Sequence, residues 1–176
     1  MTTPDAAGFY RFKWVEGHIP NSDRLARSSA PYYNGSDSDQ KLTDDSIKFL
    51  KESKIEHVIS LNSLANDIGI KENLKSNGIA YTPLPVEDFH APTLNDLSTG
   101  NKEYRKHRAG TLVWCGHGHG RTGTMVTGLQ IYAEKDKTSP QHISEDEYRN
   151  NHVEQKHNGA STGQFEVLDQ LQLQTS

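Results

Sequence analysis

Residues 111–126 read TLVWCGHGHGRTGTMV, and this stretch changes character twice. Thr111 to Trp114 is a short run of apolar and β-branched residues, as in a buried strand. Cys115 to Gly120 alternates glycine with histidine, a composition suited to a tight turn with close backbone approach. From Arg121 the pattern becomes helical, RTGTMVTGLQIYAEK. A buried strand, a glycine turn and a helix in that order form the core of a parallel α/β unit.

The same alternation continues outward. LTDDSIKFLKESK (42–54), with Thr43 or Asp44 as cap and Ile47, Phe49 and Leu50 as its apolar residues, predicts a helix, and IEHVISLN (55–62) predicts a strand. NDIGIKENLKSNG (66–78) predicts a second helix ended by Asn77-Gly78, IAYTPLPV (79–86) a second strand, and Pro92-Thr93 the start of a third helix. KTSPQHISEDEYRNNHVEQKHNG (137–159) carries no strand pattern, and YYNGSDSDQK (32–41) reads as a plain surface connection. Helices between short buried strands predict an α/β fold in three layers, a central mostly parallel sheet flanked by helices. In such a fold a ligand sits beyond the carboxyl ends of the strands, where the loop from Cys115 falls.

Composition narrows the function. The chain has 176 residues, the size of one domain, with 19 Lys and Arg against 23 Asp and Glu and a net charge of −4, so no general basic surface points to nucleic acid. Its mean hydropathy of −0.80 allows long polar loops. One cysteine permits no internal disulfide and reads as a free or catalytic thiol in a reducing compartment. MTTPDAAGFYRFKW at the start lacks the pattern of a signal peptide, and no apolar run has membrane-spanning length, so the chain reads as soluble and cytoplasmic, with delivery into another cell's cytoplasm as the alternative.

Four chemistries compete for the loop. GHGRTG (118–123) matches a dinucleotide fingerprint, but the following segment lacks the strand ending in an acidic residue that such a site needs. A triphosphate-binding loop needs a Gly-Lys-Ser/Thr that is absent. A zinc site would use Cys115, His117 and His119 with His90 or His107 from outside, without a second ligand pair of zinc spacing. The fourth reading is an oxyanion cradle. The backbone amides of Gly116, His117, Gly118, His119, Gly120 and Arg121 can turn into one bowl, the Arg121 guanidinium can bind two phosphate oxygens, and the following helix points its positive end at the same place. A field of that sign favours the thiolate of Cys115, its nucleophilic form.

CGHGHGRTG resembles the signature Cys-x-x-Gly-x-Gly-Arg-Ser/Thr of the cysteine-dependent protein-tyrosine and dual-specificity phosphatase superfamily, with Cys115, Gly118, Gly120, Arg121 and Thr122 in register. VEDFHAPT (86–93) looks like the superfamily's acid loop, with Pro92 four residues after Asp88 as in the compact dual-specificity members similar to the cell-division-cycle 14 and cyclin-dependent-kinase-inhibitor-associated phosphatases. RLARSSAP (24–31) resembles the first strand and STGQFEVL (161–168) the start of the terminal helix. The likeness spans most of 24–172, dividing the chain into an N-terminal extension, 1–23, and a single phosphatase-like catalytic domain, 24–176.

The resemblance implies a phosphocysteine mechanism without a metal or other cofactor. In it Cys115 is the nucleophile, Asp88 the general acid, Arg121 the phosphate ligand and Thr122 the hydroxyl that eases the thiolate's departure. Gln164 resembles a glutamine that positions water. Glu87 and Asp96 are the rival carboxylates, one facing away in an extended segment and one in the first turn of a helix. Tyr81, Phe89 and His90 read as packing, with walling of the pocket as the alternative. Trp114 stands where the superfamily has His, and a strand Trp reads as core, which keeps open a phospho-recognition module with little turnover. His117 and His119 have two equal readings: cationic near pH 6 and in contact with further phosphates, or simply rimming the pocket. The expected substrates are phosphotyrosine- or phosphoserine/threonine-containing proteins, with phosphoinositides or inositol phosphates as the alternative, and the chain is expected to act as a monomer.

Overall fold

The computed structural model describes residues 1–174, so the end of the domain drawn to 176 lies outside the described residues. Its main sheet holds β1 (Lys13–Trp14), β2 (Leu25–Ser28), β3 (His57–Ser60), β4 (Ala80–Pro83) and β5 (Thr111–Trp114) in the order β1-β2-β5-β3-β4. All neighbours are parallel except the edge pair β1 and β2. The three central strands are level: Ser28 and Ser60 both pair with Trp114. The residues that follow, Ser29, Leu61 and Cys115, therefore emerge together at one edge of the sheet.

Side chains alternate along β5, and this divides the core. Val113 and Cys115 join one apolar cluster, under α3 (Leu94–Lys106), α4 (Gly120–Lys135) and α6 (Gln164–Leu173). Leu112 and Trp114 join the other, under α1 (Asp44–Glu52) and α2 (Ile68–Ser76). These are the three layers. The helices start where short polar side chains satisfy free amides. Thr43 and Ser46 form a capping box on α1, Asp67 caps α2, and Thr93 and Asp96 form a capping box on α3. Asp96, one of the rival carboxylates, is thus committed to its helix.

α4 is buried almost all round for its first three turns, because α3 and α6 flank it. A Cβ on Gly100 of α3 would lie 2.6 Å from the Met125 sulfur, so this glycine permits the close approach.

Two elements depart from the sequence reading. The segment before residue 24 is built into the body: β1 extends the sheet, and the Phe9 ring packs on Trp114 and Phe49 at centroid distances of 5.8 and 5.6 Å. Residues 137–159 contain α5 (Glu145–Asn150) and the first strand of a hairpin, β6 (Lys156–His157), which pairs with β7 (Ala160–Ser161). The hairpin strands have two residues each and bury nothing, so no alternation marks them. The turn has left-handed Asn158 (φ 50°) and Gly159 (φ 80°), the Asn-Gly signal that was present in the sequence.

Candidate active site

The loop from Cys115 to Arg121 is held from outside by its carbonyls. Asn62 Nδ2 donates to the Cys115 oxygen at 3.0 Å, Ala30 N to Gly116 at 2.8 Å, and Arg11 Nε to His117 at 2.7 Å. Arg27 Nη2 donates to Gly118 at 3.1 Å and to His119 at 3.4 Å. With the carbonyls of 115–119 taken by external donors, the amides are left for the inside of the loop. Among the described residues, none of the N–H groups of 116–122 has a protein acceptor, and His119 provides no side-chain cap to α4. A row of unsatisfied amides at a helix N-terminus is an oxyanion site.

Three glycines make this wrapping possible. Gly118 has φ 102°, and a Cβ there would sit 2.7 Å from the Ser28 carbonyl. On Gly116 it would meet Asp37 Oδ1 at 2.5 Å, and on Gly120 it would meet Glu154 Oε1 at 2.0 Å.

Arg121 is buried, and its guanidinium is fixed along one edge. Nη1 donates to Asp37 Oδ2 at 2.9 Å and to the Val86 carbonyl at 2.8 Å, and Nη2 donates to Asp37 Oδ1 at 2.7 Å. Nη2 also lies 3.2 Å from Asp88 Oδ1. Among the described residues Nε has no acceptor, and the Nε–Nη2 edge, which Asp88 approaches at Nη2, is where a phosphate would bind as a second bidentate partner. Burial works against the Arg121 charge, but the Asp37 hydrogen bonds and the charges of Cys115, Asp37 and Asp88 outweigh it and raise its pKa. Burial likewise opposes the Asp37 carboxylate, and its bonds from Arg121 and Ser63 win, lowering its pKa. The 32–41 loop is therefore no plain connection: it supplies Asp37 to Arg121 and Tyr33 to the pocket wall.

Cys115, Asp88, Arg121, His117 and His119 come together around a cavity of about 290 Å³, which Tyr33, Phe89, Gly120 and Glu154 also line. Asp88 is half-exposed, and its Oδ1 accepts from Phe89 N at 3.0 Å. Phe89 adopts φ 61° and stacks face to face on His157, with ring centroids 3.4 Å apart, so it walls the cavity rather than filling the core. Gln164 is fully buried, and both ends of its amide are engaged: Nε2 donates to the His90 carbonyl at 3.0 Å and Oε1 accepts from Glu154 N at 2.8 Å. It ties the acid loop to residue 154. Tyr81 lies elsewhere, donating to the Ala65 carbonyl, and Glu87 is exposed beside His90.

Thr122 is buried and its hydroxyl oxygen has no hydrogen-bond partner among the described residues. Trp114 is core, in the cluster on the sheet face opposite the Cys115 side chain. The histidines rim the cavity, as one of their two readings has it, and the local field works against the other, a positive charge. Burial and then Arg11 lower the pKa of His117 against the opposing charge of Asp88, and burial with His152, His117, Arg27 and Arg11 lowers that of His119 to about 4. His119 is therefore neutral at mildly acidic pH.

The sequence reading missed Asp37, Asn62, Arg27 and Glu154. Only Arg27 left a signal, a charged residue inside an apolar strand run. Burial first, then Asp88, raises the pKa of Glu154, so the second carboxyl in the cavity protonates more readily than an ordinary glutamate.

The sheet order, the cradle and its arginine define a phosphatase of the dual-specificity and protein-tyrosine type. More particularly, the chain belongs to the family described as polymorphic toxin system, DSP-PTPase phosphatase, whose model matches residues 34–134. No curated protein matches in sequence. Among solved structures, the chain is similar to kinase associated phosphatase (KAP) with its catalytic-site cysteine changed to serine, at TM-score 0.68 and 16% identity over 94% of this chain and 97% of that one. It is similar to a mutant form of Tk-PTP at TM-score 0.63 and 21% identity, covering 92% and 93% of the two chains. It is also similar to PTPMT1 in complex with PI(5)P at TM-score 0.60 and 17% identity, covering 92% and 94%. At these identities the likeness is one of fold.

Proposed function

We propose that this phosphatase cleaves phosphomonoesters through a phosphocysteine intermediate and that its substrates are phosphorylated proteins, phosphotyrosine first. The observation that carries the reading is the set of acceptor-free amides of 116–122 following Cys115, with one edge of Arg121 held by Asp37 and its Nε without a protein acceptor among the described residues. The Cys115 sulfur attacks phosphorus, forming S–P as the ester P–O bond breaks, and Asp88 gives its proton to the departing oxygen. Water then attacks phosphorus, S–P breaks, and Asp88 takes the water's proton as inorganic phosphate leaves. The loop amides and Arg121 carry the charge on the three non-reacting oxygens throughout.

Tyr33 on one wall and the Phe89–His157 stack on another support an aromatic leaving group. The second reading, a phosphoinositide or inositol phosphate substrate, is favoured by His117 and His119 at the cavity. The third, phospho-recognition with little turnover, keeps the same cradle. Membership of a family described by polymorphic toxin systems supports action in the cytoplasm of a cell that receives the protein.

Phosphate release from p-nitrophenyl phosphate tests the chemistry. The wild type is expected to turn over, to be inhibited by vanadate and to retain activity in EDTA. Cys115→Ser is expected to bind the ester and release no phosphate. Binding by the wild type without turnover would instead establish the recognition module.

A further inference from the structure

Beside the catalytic cavity, the rings of His117, His119 and His152 form a continuous track, with centroid separations of 4.4 and 4.1 Å, the second pair nearly parallel. Four segments build it: the catalytic loop, the turn after α5, residues 11–13 and β2. His152 is exposed and has φ 65°, a left-handed backbone that turns the chain at this point. Lys13 sits directly opposite Arg27 across the β1–β2 ladder. Two like charges facing each other across a ladder destabilise it. Arg27 is buried, and its Nη1 has no hydrogen-bond partner among the described residues.

Among the described residues, no carboxylate forms an ion pair with Arg11, Lys13, Arg27, His117, His119 or His152. In a chain whose net charge is −4, this is a local concentration of uncompensated cationic and protonatable groups. An anion would relieve the mutual repulsion.

We propose that the His117–His119–His152 track, with Arg11, Lys13 and Arg27 behind it, is a second anion subsite that binds another phosphorylated side chain near the scissile phosphotyrosine of the same protein substrate. The inference rests on the phosphatase reading above. His117 and His119 line the cavity, whereas His152 and Lys13 lie beyond it, so the track leads away from Cys115 toward the sheet edge. A phosphate vicinal to the scissile one on a sugar-sized ring would stop at His117 and His119. An extended peptide advances ~3.3 Å per residue and carries a neighbouring phosphate along the track.

The groups facing the track set its pH dependence. Burial and the neighbouring cations lower the pKa of each of the three histidines, Lys13 and Arg27 acting on His152, and Asp88 alone opposes this, at His117. Tyr33 lies edge-on to His117, and Glu154 lies on the cavity wall. A bound phosphate reverses the field, so the histidines take up protons on binding and the subsite strengthens as pH falls.

The test compares a peptide with one phosphotyrosine and the same peptide with a second phosphorylated residue two positions away. For the wild type the doubly phosphorylated peptide is expected to have a kcat/KM about tenfold higher, expressed in KM, the gain of one well-placed charged contact. That preference is expected to grow from about pH 8 to about pH 6, across which histidine protonation becomes easier. The variant carrying Lys13→Ala and His152→Ala is expected to lose the preference while hydrolysing p-nitrophenyl phosphate, which has no second anionic group, at the wild-type rate. Equal kcat/KM for the two peptides in the wild type would overturn the subsite. A soluble inositol bisphosphate preferred over both peptides, with the preference removed in the same variant, would overturn the peptide assignment. The same peptides bound to Cys115→Ser give an arm independent of turnover. Tighter binding of the doubly phosphorylated one there supports the subsite even if the catalytic reading fails, and equal binding overturns it.

Discussion

At the residue scale, the geometry of Arg121 makes Asp37 the side chain whose loss should be felt most outside the signature. The carboxylate engages both terminal nitrogens of Arg121 and is itself held by Ser63 N at 3.0 Å. Asp37→Asn removes the charge but keeps the size, so the guanidinium should lose its fixed orientation. The expected result is a fall in kcat/KM for p-nitrophenyl phosphate on the order of a hundredfold, near the cost of losing one oxyanion donor, with weaker vanadate inhibition. Asp37→Glu should recover part of it. Asp88 and Glu154 share the cavity, and leaving-group dependence separates them. Asp88→Asn should slow phenyl phosphate, whose leaving group has a pKa of about 10, by on the order of 100-fold, and p-nitrophenyl phosphate much less. If Glu154→Gln shows that pattern and Asp88→Asn does not, the acid is Glu154.

At the element scale, the N-terminal segment is the least expected contributor. Phe9 is buried between Phe49 and Trp114, so it closes the second core over the strand that carries Cys115. Phe9→Ala should lower unfolding free energy by about 3 kcal/mol, the usual cost of truncating a buried phenyl ring. Chemical denaturation would show it, and a loss within error of zero would mean that the segment is not part of the cooperative unit. The segment also brings Arg11 to the His117 carbonyl, which links its docking to the shape of the loop. This explains why the motif alone understates what the site requires.

At the scale of the whole molecule, the sheet buries a histidine that makes stability depend on pH. His57 lies between Thr111 and Thr82, its ring nitrogens 3.0 and 2.7 Å from their hydroxyls, and burial followed by repulsion from His107 lowers its pKa to about 3. The unfolded chain protonates this histidine near its ordinary value of about 6.5, before the folded protein does. Stability is therefore present above that value and lost as pH falls toward about 3, at up to about 1.4 kcal/mol per pH unit for the one proton. Urea titrations between neutral pH and about pH 4 should show His57→Asn with a shallower acid slope than the wild type. Identical slopes would refute the assignment.

Legible along the chain were the strand–turn–helix unit at 111–126, the helix starts at Thr43 or Asp44 and at Pro92-Thr93, and the register of Cys115 with Arg121. Each rests on residues close in the chain, where period, turn chemistry and spacing constrain the backbone directly. It took the folded arrangement to bring Asp37 to Arg121, to set Asn62 and Arg27 on the loop carbonyls, to put Glu154 in the cavity and to commit Gln164 to two backbone groups. Those side chains are polar residues on loops, inside a strand or, for Gln164, at the start of a helix, and most of their partners lie tens of positions away. Their placement follows from parallel strands ending at one level, which no local pattern encodes.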